Sequence, residues 1–306
     1  MRRRLASKKK SRSVSFLWKV ICLAVLLGLA LVFVLLRKAY WDGSSNFTFV
    51  TSGESGTVTL YTFHSQSGSV IKVNVPGDIE VDVARDYGKL KIKNLWLFSQ
   101  NEKIGGLLLQ ETVIAAFGFP VESWVEESGA ALLTGNSLDR LQAIFLPFES
   151  DLNIGDKIRI FLYGLKLSNE GYVEINLDDY PSFVKSVRLV GGEEGFVVVE
   201  DNIPARMLGV FSDPLITGKN LNVVVYSAPD SWLKAKKLGK IVEILGPEIA
   251  LLETKEGISL DDGCLVKSTD GYTRRKFARI FGCEESNNLP GGNFGIEVIV
   301  GNKLFL

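Results

Sequence analysis

Residues 70–83 read VIKVNVPGDIEVDV, and their reading decides the fold. Apolar and polar residues alternate on both sides of Pro76-Gly77, a period of two that turns one face of each run toward a core. Upstream, Val58-Thr59-Leu60-Tyr61-Thr62-Phe63 repeats the alternation and is separated by a Ser/Gln/Gly turn from Val70-Ile71-Lys72-Val73-Asn74-Val75. Together with Ile79 to Val83 these runs predict neighbouring strands of a half-buried sheet. Downstream the period changes. Leu107, Leu108, Val113, Ile114 and Phe117 fall close to helical spacing, and Gly118 stops the segment. Strand, strand and helix in that order predict a mixed α/β domain.

Two further amphipathic stretches, Leu138 to Phe145 and Ile154 to Leu167, lead to a connector containing Gly191-Gly192-Glu193-Glu194-Gly195. Those glycines fit neither a phosphate loop nor a dinucleotide fingerprint, so a turn is expected there. Beyond it, Leu221 to Tyr226 reads as a strand, Trp232 to Leu245 as a helix and Ile249 to Leu252 as a second strand. The unit then repeats with a strand at Cys264 to Lys267, a helix at Tyr272 to Phe281 ended by Gly282, and a strand at Ile296 to Val300. This β-α-β-β-α-β order predicts a small sandwich of one sheet and two helices.

The N-terminus carries a different signal. A cluster of Arg and Lys from Arg2 to Arg12 precedes an apolar run from Phe16 to Leu36 interrupted only by Lys19. At helical rise that run spans a bilayer core, and the excess of basic residues before it places residues 1–15 in the cytoplasm and the bulk of the chain outside. A cleaved secretory signal competes, but the run is long for one and Leu35-Leu36-Arg37-Lys38 offers no small-x-small cleavage site. Trp18, Tyr40 and Trp41 stand where interfacial aromatics are expected. Asp42 to Ser55 reads as a spacer with strand character around Phe47 to Val50, and Asn46-Phe47-Thr48 is a formal glycosylation sequon.

The chain has 35 basic and 35 acidic residues, but ten of the basic ones and none of the acidic ones precede Ala39. The exported part is thus left with 25 positive against 35 negative charges, a balance that excludes bulk electrostatic binding of nucleic acid. Cys22 lies in the span as a small apolar residue, while Cys264 and Cys283 are candidates for a disulfide or for two buried thiols. The single histidine, His64, rules out a His-rich metal site, and its place beside Ser65 and Ser67 suggests a solvated turn.

These residues carry a resemblance. VIKVNVPGDIEVDV at Val70 to Val83, YGKLKIKN at Tyr87 to Asn94 and TVIAAFGFPVESWV at Thr112 to Val125 together resemble the LytR-CpsA-Psr domain of bacterial cell-envelope proteins over about 80 residues. The segment from LNVVVYSAPDSW at Leu221 through GIEVIVGN, ending at Asn302, resembles the LytR C-terminal module, although Tyr226-Ser227-Ala228 stands where an Asn-Gly-Thr is common. The resemblance implies transfer of a polyprenyl-pyrophosphate-linked glycopolymer onto peptidoglycan, with magnesium and a cluster of arginines. Arginine suits that role because its planar fork grips pyrophosphate bidentately.

The sequence departs from the pattern where the chemistry would be. Gly77 replaces the arginine of Pro-Arg-Asp and leaves only Asp78 of that pair; the metal-associated aspartate aligns near Gly56, beside Thr57. The later Arg-x-Arg element has no clear counterpart, with Lys157 and Arg159 in that region on a helical pattern. Losing one electrostatic stabiliser costs about 2.7 to 4 kcal/mol of barrier lowering, so three losses leave little catalysis.

The expected architecture is thus a basic tail at 1–15, an anchor at 16–38, a degenerate LytR-CpsA-Psr-like α/β domain at 45–190, a connector at 191–218 and a LytR C-terminal-like sandwich at 219–304. The sequence favours a non-catalytic envelope protein without a cofactor. Its expected partners are the bilayer, a polyprenyl-linked glycopolymer or peptidoglycan, and another envelope protein. Asp78, Arg85 and Lys91 are candidates for a polar rim, or simply a turn and solvated charges. The enzymatic alternative is a residual magnesium-dependent transferase using Arg85, Arg140 or Arg159. Leu107 to Val113 would line a lipid tunnel or simply pack a core.

Overall fold

In the computed structural model, residues 12–167, 171–189, 192–199, 202–258 and 263–306 are described. Most of the basic tail, residues 1–11, and Gly191 of the connector lie outside them. Helix α1 (Arg12–Arg37) is followed by strands β1 (Phe47–Ser52), β2 (Val58–His64), β3 (Ser69–Val75), β4 (Ile79–Val83) and β5 (Gly88–Lys91). Helices α2 (Leu95–Asn101) and α3 (Leu107–Phe117) lead to β6 (Ser123–Glu126). Then come α4 (Ala131–Thr134), α5 (Ser137–Phe145) and α6 (Ile154–Lys166). Strands β7 (Tyr172–Asn176), β8 (Val184–Arg188) and β9 (Glu194–Val198) precede the short helices α7 (Ala205–Phe211) and α8 (Pro214–Thr217). The chain ends in β10 (Asn222–Ser227), α9 (Trp232–Leu245), β11 (Glu248–Thr254), β12 (Cys264–Ser268), α10 (Gly271–Phe281), β13 (Glu284–Ser286) and β14 (Ile296–Val300).

The protein is mixed α/β, built on three mixed sheets in the orders β6-β1-β2-β3-β7, β5-β4-β9-β8 and β11-β10-β14-β12-β13. In the first, β2 pairs antiparallel with both β1 and β3, with Leu60 opposite Val50 and Val73. Its two faces feed two cores. Val50, Leu60 and Val73 join Leu108, Leu109 and Val113 of α3 on one side, while Phe47, Phe49, Tyr61 and Phe63 pack against Leu132, Leu133 and Ile160 of α4 and α6 on the other. The sheet expected to be half-buried is therefore covered on both faces at β1 and β2, every residue of β1 being buried, whereas at β3 and β7 Asn74 and Glu174 remain on an open face. Alternation in residue type records here only that the threonines of β1 and β2 find partners, as in the Thr48–Thr62 hydroxyl contact of 3.1 Å.

Three other expectations are corrected. Ile79 to Val83 does not continue the first sheet; it pairs antiparallel with β5 and parallel with β9 in the second. Pro76 has no N–H to extend the ladder, and the Ile79 N–H closes a turn onto its carbonyl at 3.2 Å, sending the chain into a new layer. The connector at 191–218 holds β9, α7 and α8, and the expected turn is seen among the described residues in the hairpin between β8 and β9, where Gly192 N–H bonds the Leu189 carbonyl at 2.8 Å. The strand character expected at Phe47 to Val50 is borne out by β1, but the stretch before it is no loose spacer, since Ser45 and Asn46 are buried. Asn46 spends its side-chain amide on the Ser212 carbonyl at 2.7 Å, so the sequon is built into the interior.

Helix α3 is buried almost all round, including Gln110, Glu111 and Thr112, and Gly118 ends it in the left-handed region at φ 72°. Leu108, Leu109 and Val113 pack the core, the plainer of the two roles expected for this stretch, while Leu107 at its start is exposed. In the third sheet β10 runs parallel to β11 and β14, and β12 pairs antiparallel with β14. A short extra strand, β13, adds parallel to β12 at the edge. Cys264 and Cys283 are joined in a disulfide, which ties the start of β12 to the residue preceding β13. One apolar core runs from the first sheet into this last one, carried across by Phe119 stacked on Phe211 with ring centroids 4.5 Å apart.

Candidate functional site

The Pro76-Gly77-Asp78 turn lies against the Lys91-Ile92-Lys93 segment that follows β5. Lys93 N–H donates to the Gly77 carbonyl at 3.1 Å, and Lys93 Nζ lies 2.6 Å from Asp78 Oδ1. Both sequence departures meet at this lysine. A Cβ on Gly56, where φ is +71°, would fall 2.8 Å from the Lys93 carbonyl oxygen, and one on Gly77 would fall 3.1 Å from Lys93 Cβ. The backbone and stem of Lys93 thus fill the space that side chains at positions 56 and 77 would need.

Lys91 Nζ sits 2.6 Å from Glu193 and 3.9 Å from Asp78. The cluster of Asp78, Lys91, Lys93 and Glu193 carries two charges of each sign. The hydrogen bond from Lys93 holds the Asp78 carboxyl below its ordinary range, and the one that Lys91 donates to Glu193 raises Lys91. All four are solvent-exposed enough that each pair contributes little to stability.

Arg85 stands apart from this cluster. Its backbone takes a positive φ of 62°, and the guanidinium grips Glu111 of α3 through both oxygens at 2.6 and 2.7 Å. That bidentate bond raises Arg85 further above its already high value. The pair borders a cleft of about 480 Å³ against the C-terminal unit, with Lys234 and Cys264 on the opposite wall. Arg159 points elsewhere again, bonding the Leu36 carbonyl at 2.8 Å and the Asp42 carbonyl at the end of α1. Arg140 donates to the carbonyls of Gly135 and Gly164 at 2.7 and 2.6 Å. The structure therefore brings Asp78 and Lys91 together, and commits Arg85, Arg140 and Arg159 to separate internal bonds.

The donor set does not fit a divalent metal. Asp78 is matched by lysines, position 56 has no side chain, and among the described residues no three His, Cys, Asp or Glu side chains gather to hold an ion. His64, expected in solvent, is half-buried at the end of β2; burial lowers its pKa, and Nε2 finds no partner among the described residues.

Among the solved structures that match this chain over about half of its length are TagT, TagV and YwtF. Bacillus subtilis TagT matches 55% of this chain and 90% of its own at 13% identity and a TM-score of 0.39. B. subtilis TagV matches 55% and 96% at 10% identity and 0.40. A LytR-CPS2A-psr family protein, YwtF (TagT), solved with bound octaprenyl pyrophosphate lipid, matches 55% and 91% at 12% identity and 0.40. No family model matches the sequence, and no curated protein matches it.

Sequence reasoning missed the most concentrated group of charges. Lys276 of α10 is buried with its Nζ 2.6 Å from Asp213, 3.0 Å from Glu122 and 2.6 Å from the Asn46 carbonyl. Tyr272 donates to Asp213 at 2.5 Å and Tyr40 to Glu122 at 3.2 Å. Arg279, one turn along α10, bonds the Glu122 carbonyl at 2.8 Å and Asp151 at 2.9 Å. Burial raises the Glu122 carboxyl; it opposes the charge on Lys276, but Glu122 and Asp213 outweigh it and hold the amine above its ordinary value. The spacing of Tyr272, Lys276 and Arg279 on one helical face was readable, but nothing local distinguishes it from a solvated stripe.

Proposed function

We propose that this chain is a membrane-anchored cell-envelope protein that binds its partner and does not catalyse phosphoryl transfer. In this reading α1 crosses the bilayer with the basic tail in the cytoplasm. The α/β unit at 45–190 and the module at 219–304 stand outside, and the ligand is a wall polymer, a polyprenyl-linked lipid or another envelope protein. What supports the anchor is a helix in which Leu17–Arg37 is long and apolar enough to span.

The observation that carries the binding reading is the internal pairing of the candidate cations. Lys93 and Lys91 face Asp78 and Glu193, so among the described residues the Asp78 cluster has no surplus positive charge to stabilise a transferring phosphoryl group, and Arg85, apart from it, is gripped by Glu111. Exposed pairs open at low cost, so a polyanionic headgroup can exchange with an acid and be held without a preorganised field.

The test uses the full chain in nanodiscs with a polyprenyl-pyrophosphate-linked glycan, magnesium and peptidoglycan fragments. The expected result is retention of the lipid in native mass spectrometry with no transfer. Turnover that Asp78→Ala abolishes would establish the transferase instead.

A further inference from the structure

The end of α1 is not joined to the rest of the protein by a free tether. Leu35 and Leu36, the last apolar residues of the span, are partly covered, and the Leu35 carbonyl lies 2.3 Å from where a Cβ on Gly155 would stand. Asn153 and Arg159 donate to the Lys38 and Leu36 carbonyls, and Asp156 accepts the Trp41 N–H at 2.9 Å. Helix α6 is therefore pinned to the anchor at the depth where the bilayer surface begins. Tyr40 and Trp41, expected at that surface, are turned into the protein instead: Trp41 packs between Phe47, Phe63 and Tyr163.

What lies exposed beside this junction is apolar. Along α6, Ile154, Leu162 and Leu165 are exposed on one stripe; along α5, which packs on α6, Leu138 and Leu141 are exposed and Phe145 reaches 74%. Of the six charged side chains on these helices, Asp139 and Lys166 are exposed, Asp139 in the first turn of α5 and Lys166 at the end of α6, and the other four are engaged. Arg140 and Arg159 bond backbone carbonyls inside the protein, Asp156 is buried, and the Lys157 amine lies 3.6 Å over the Phe148 ring. Two helices with apolar stripes, side by side and fixed to the mouth of a membrane span, have the composition of an interfacial surface.

We propose that the α5–α6 pair is a second membrane contact, lying in the plane of the bilayer with Leu141, Phe145 and Leu162 in the acyl boundary of the outer leaflet. It fixes the orientation of the whole ectodomain on the membrane, so that its partner is met at the lipid surface. The proposal rests on α1 spanning the bilayer, and the test separates the two.

The full chain is reconstituted in phosphatidylcholine and phosphatidylglycerol vesicles with an environment-sensitive fluorophore on a single free thiol. Native Cys22 reports on the anchor; Cys22→Ala combined with Leu141→Cys, Phe145→Cys or Leu162→Cys reports on the stripe. Cys22→Ala with Leu233→Cys, on the exposed start of α9, is the aqueous reference. Lipids carrying a nitroxide near the headgroup are expected to quench the stripe labels at least about twofold more than the Leu233 label, while iodide quenches them less. Stripe labels that behave like the Leu233 label, with the Cys22 label quenched, overturn the proposal and leave the anchor intact. An unquenched Cys22 label overturns the anchor itself. Stripe labels shielded from iodide but not reached by lipid nitroxides, with cross-links between copies of the Leu141→Cys chain, assign the face to a second copy and also overturn it.

Discussion

Replacing Lys276 with methionine removes a charge while keeping an unbranched stem of similar length, so the effect is electrostatic. Two buried carboxylates, Glu122 and Asp213, then lose the cation that lies 3.0 and 2.6 Å from them. Removing one member of a buried pair costs about 3 to 5 kcal/mol, and with two acids stranded the loss falls toward the upper figure. For a folded unit of this size each kcal/mol moves the thermal midpoint by roughly 2 to 4 °C, so a drop on the order of 10 to 20 °C is expected.

The dependence on pH follows from Glu122. Burial already raises its carboxyl above the ordinary value, with Lys276 pulling the other way. A carboxyl whose folded pKa exceeds its unfolded pKa binds more protons in the folded state, so stability falls as pH rises through the interval between them. Without Lys276 that interval extends upward, and the deficit of Lys276→Met should be small near about pH 5 and grow toward about pH 8. Thermal unfolding of the full chain in mild detergent, followed by tryptophan fluorescence across that range, measures it. Adding Glu122→Gln should restore part of the loss at the higher pH. A drop below about 2 °C, or a deficit that does not change with pH, would refute the argument that Lys276 neutralises stranded acids.

Gly155→Ala forces a methyl group against the Leu35 carbonyl, so the junction of α1 and α6 should loosen, with trypsin cleavage after Arg37 or Lys38 several-fold faster and the melting of the folded part beyond α1 little changed. The Cys264–Cys283 disulfide closes a loop with a sequence separation of 19, and its removal by paired alanines should cost about 3 kcal/mol, read as a lower denaturant midpoint that reducing agent reproduces in the native chain. Gly106→Ala would place a Cβ 2.1 Å from the Trp124 ring, and overpacking of that kind should lower stability by about 1 to 3 kcal/mol in the same unfolding assay. Asp78→Ala should change stability by less than about 1 kcal/mol, because its partners are exposed; a larger effect would mean the turn depends on the pair.

What the sequence made legible was local. Helix α9 begins and ends where its periodicity puts it, and α3 stops at Gly118, because spacing and a left-handed cap act within a few residues. Strand β9 was not legible as part of a sheet. Its partner β4 lies more than a hundred residues earlier, and the pairing of Ile79 with Phe196 leaves no mark in either segment alone. The candidate site divides the same way. Asp78 and Lys91 were identified from their neighbourhood in the chain, whereas Lys93, the residue that explains Gly56 and Gly77, emerged only when the turn and the end of β5 came together.

The distribution of charge in the fold gives those two glycines a further meaning. At the exposed cluster, small residues make room for a lysine whose charge is spent on Asp78, and the result is a neutral, inexpensive surface. In the interior, Lys276 and Arg279 of the C-terminal unit are spent on Glu122, Asp213 and Asp151, which join the first unit and the connector to α10. Tyr40, three residues beyond the end of α1, reaches the same network through Glu122, and the Arg279 guanidinium lies 4.7 Å over its ring. The costly electrostatics of this protein are thus concentrated where the end of α1, the first sheet and the last sheet meet, which is where they fix one arrangement of the three.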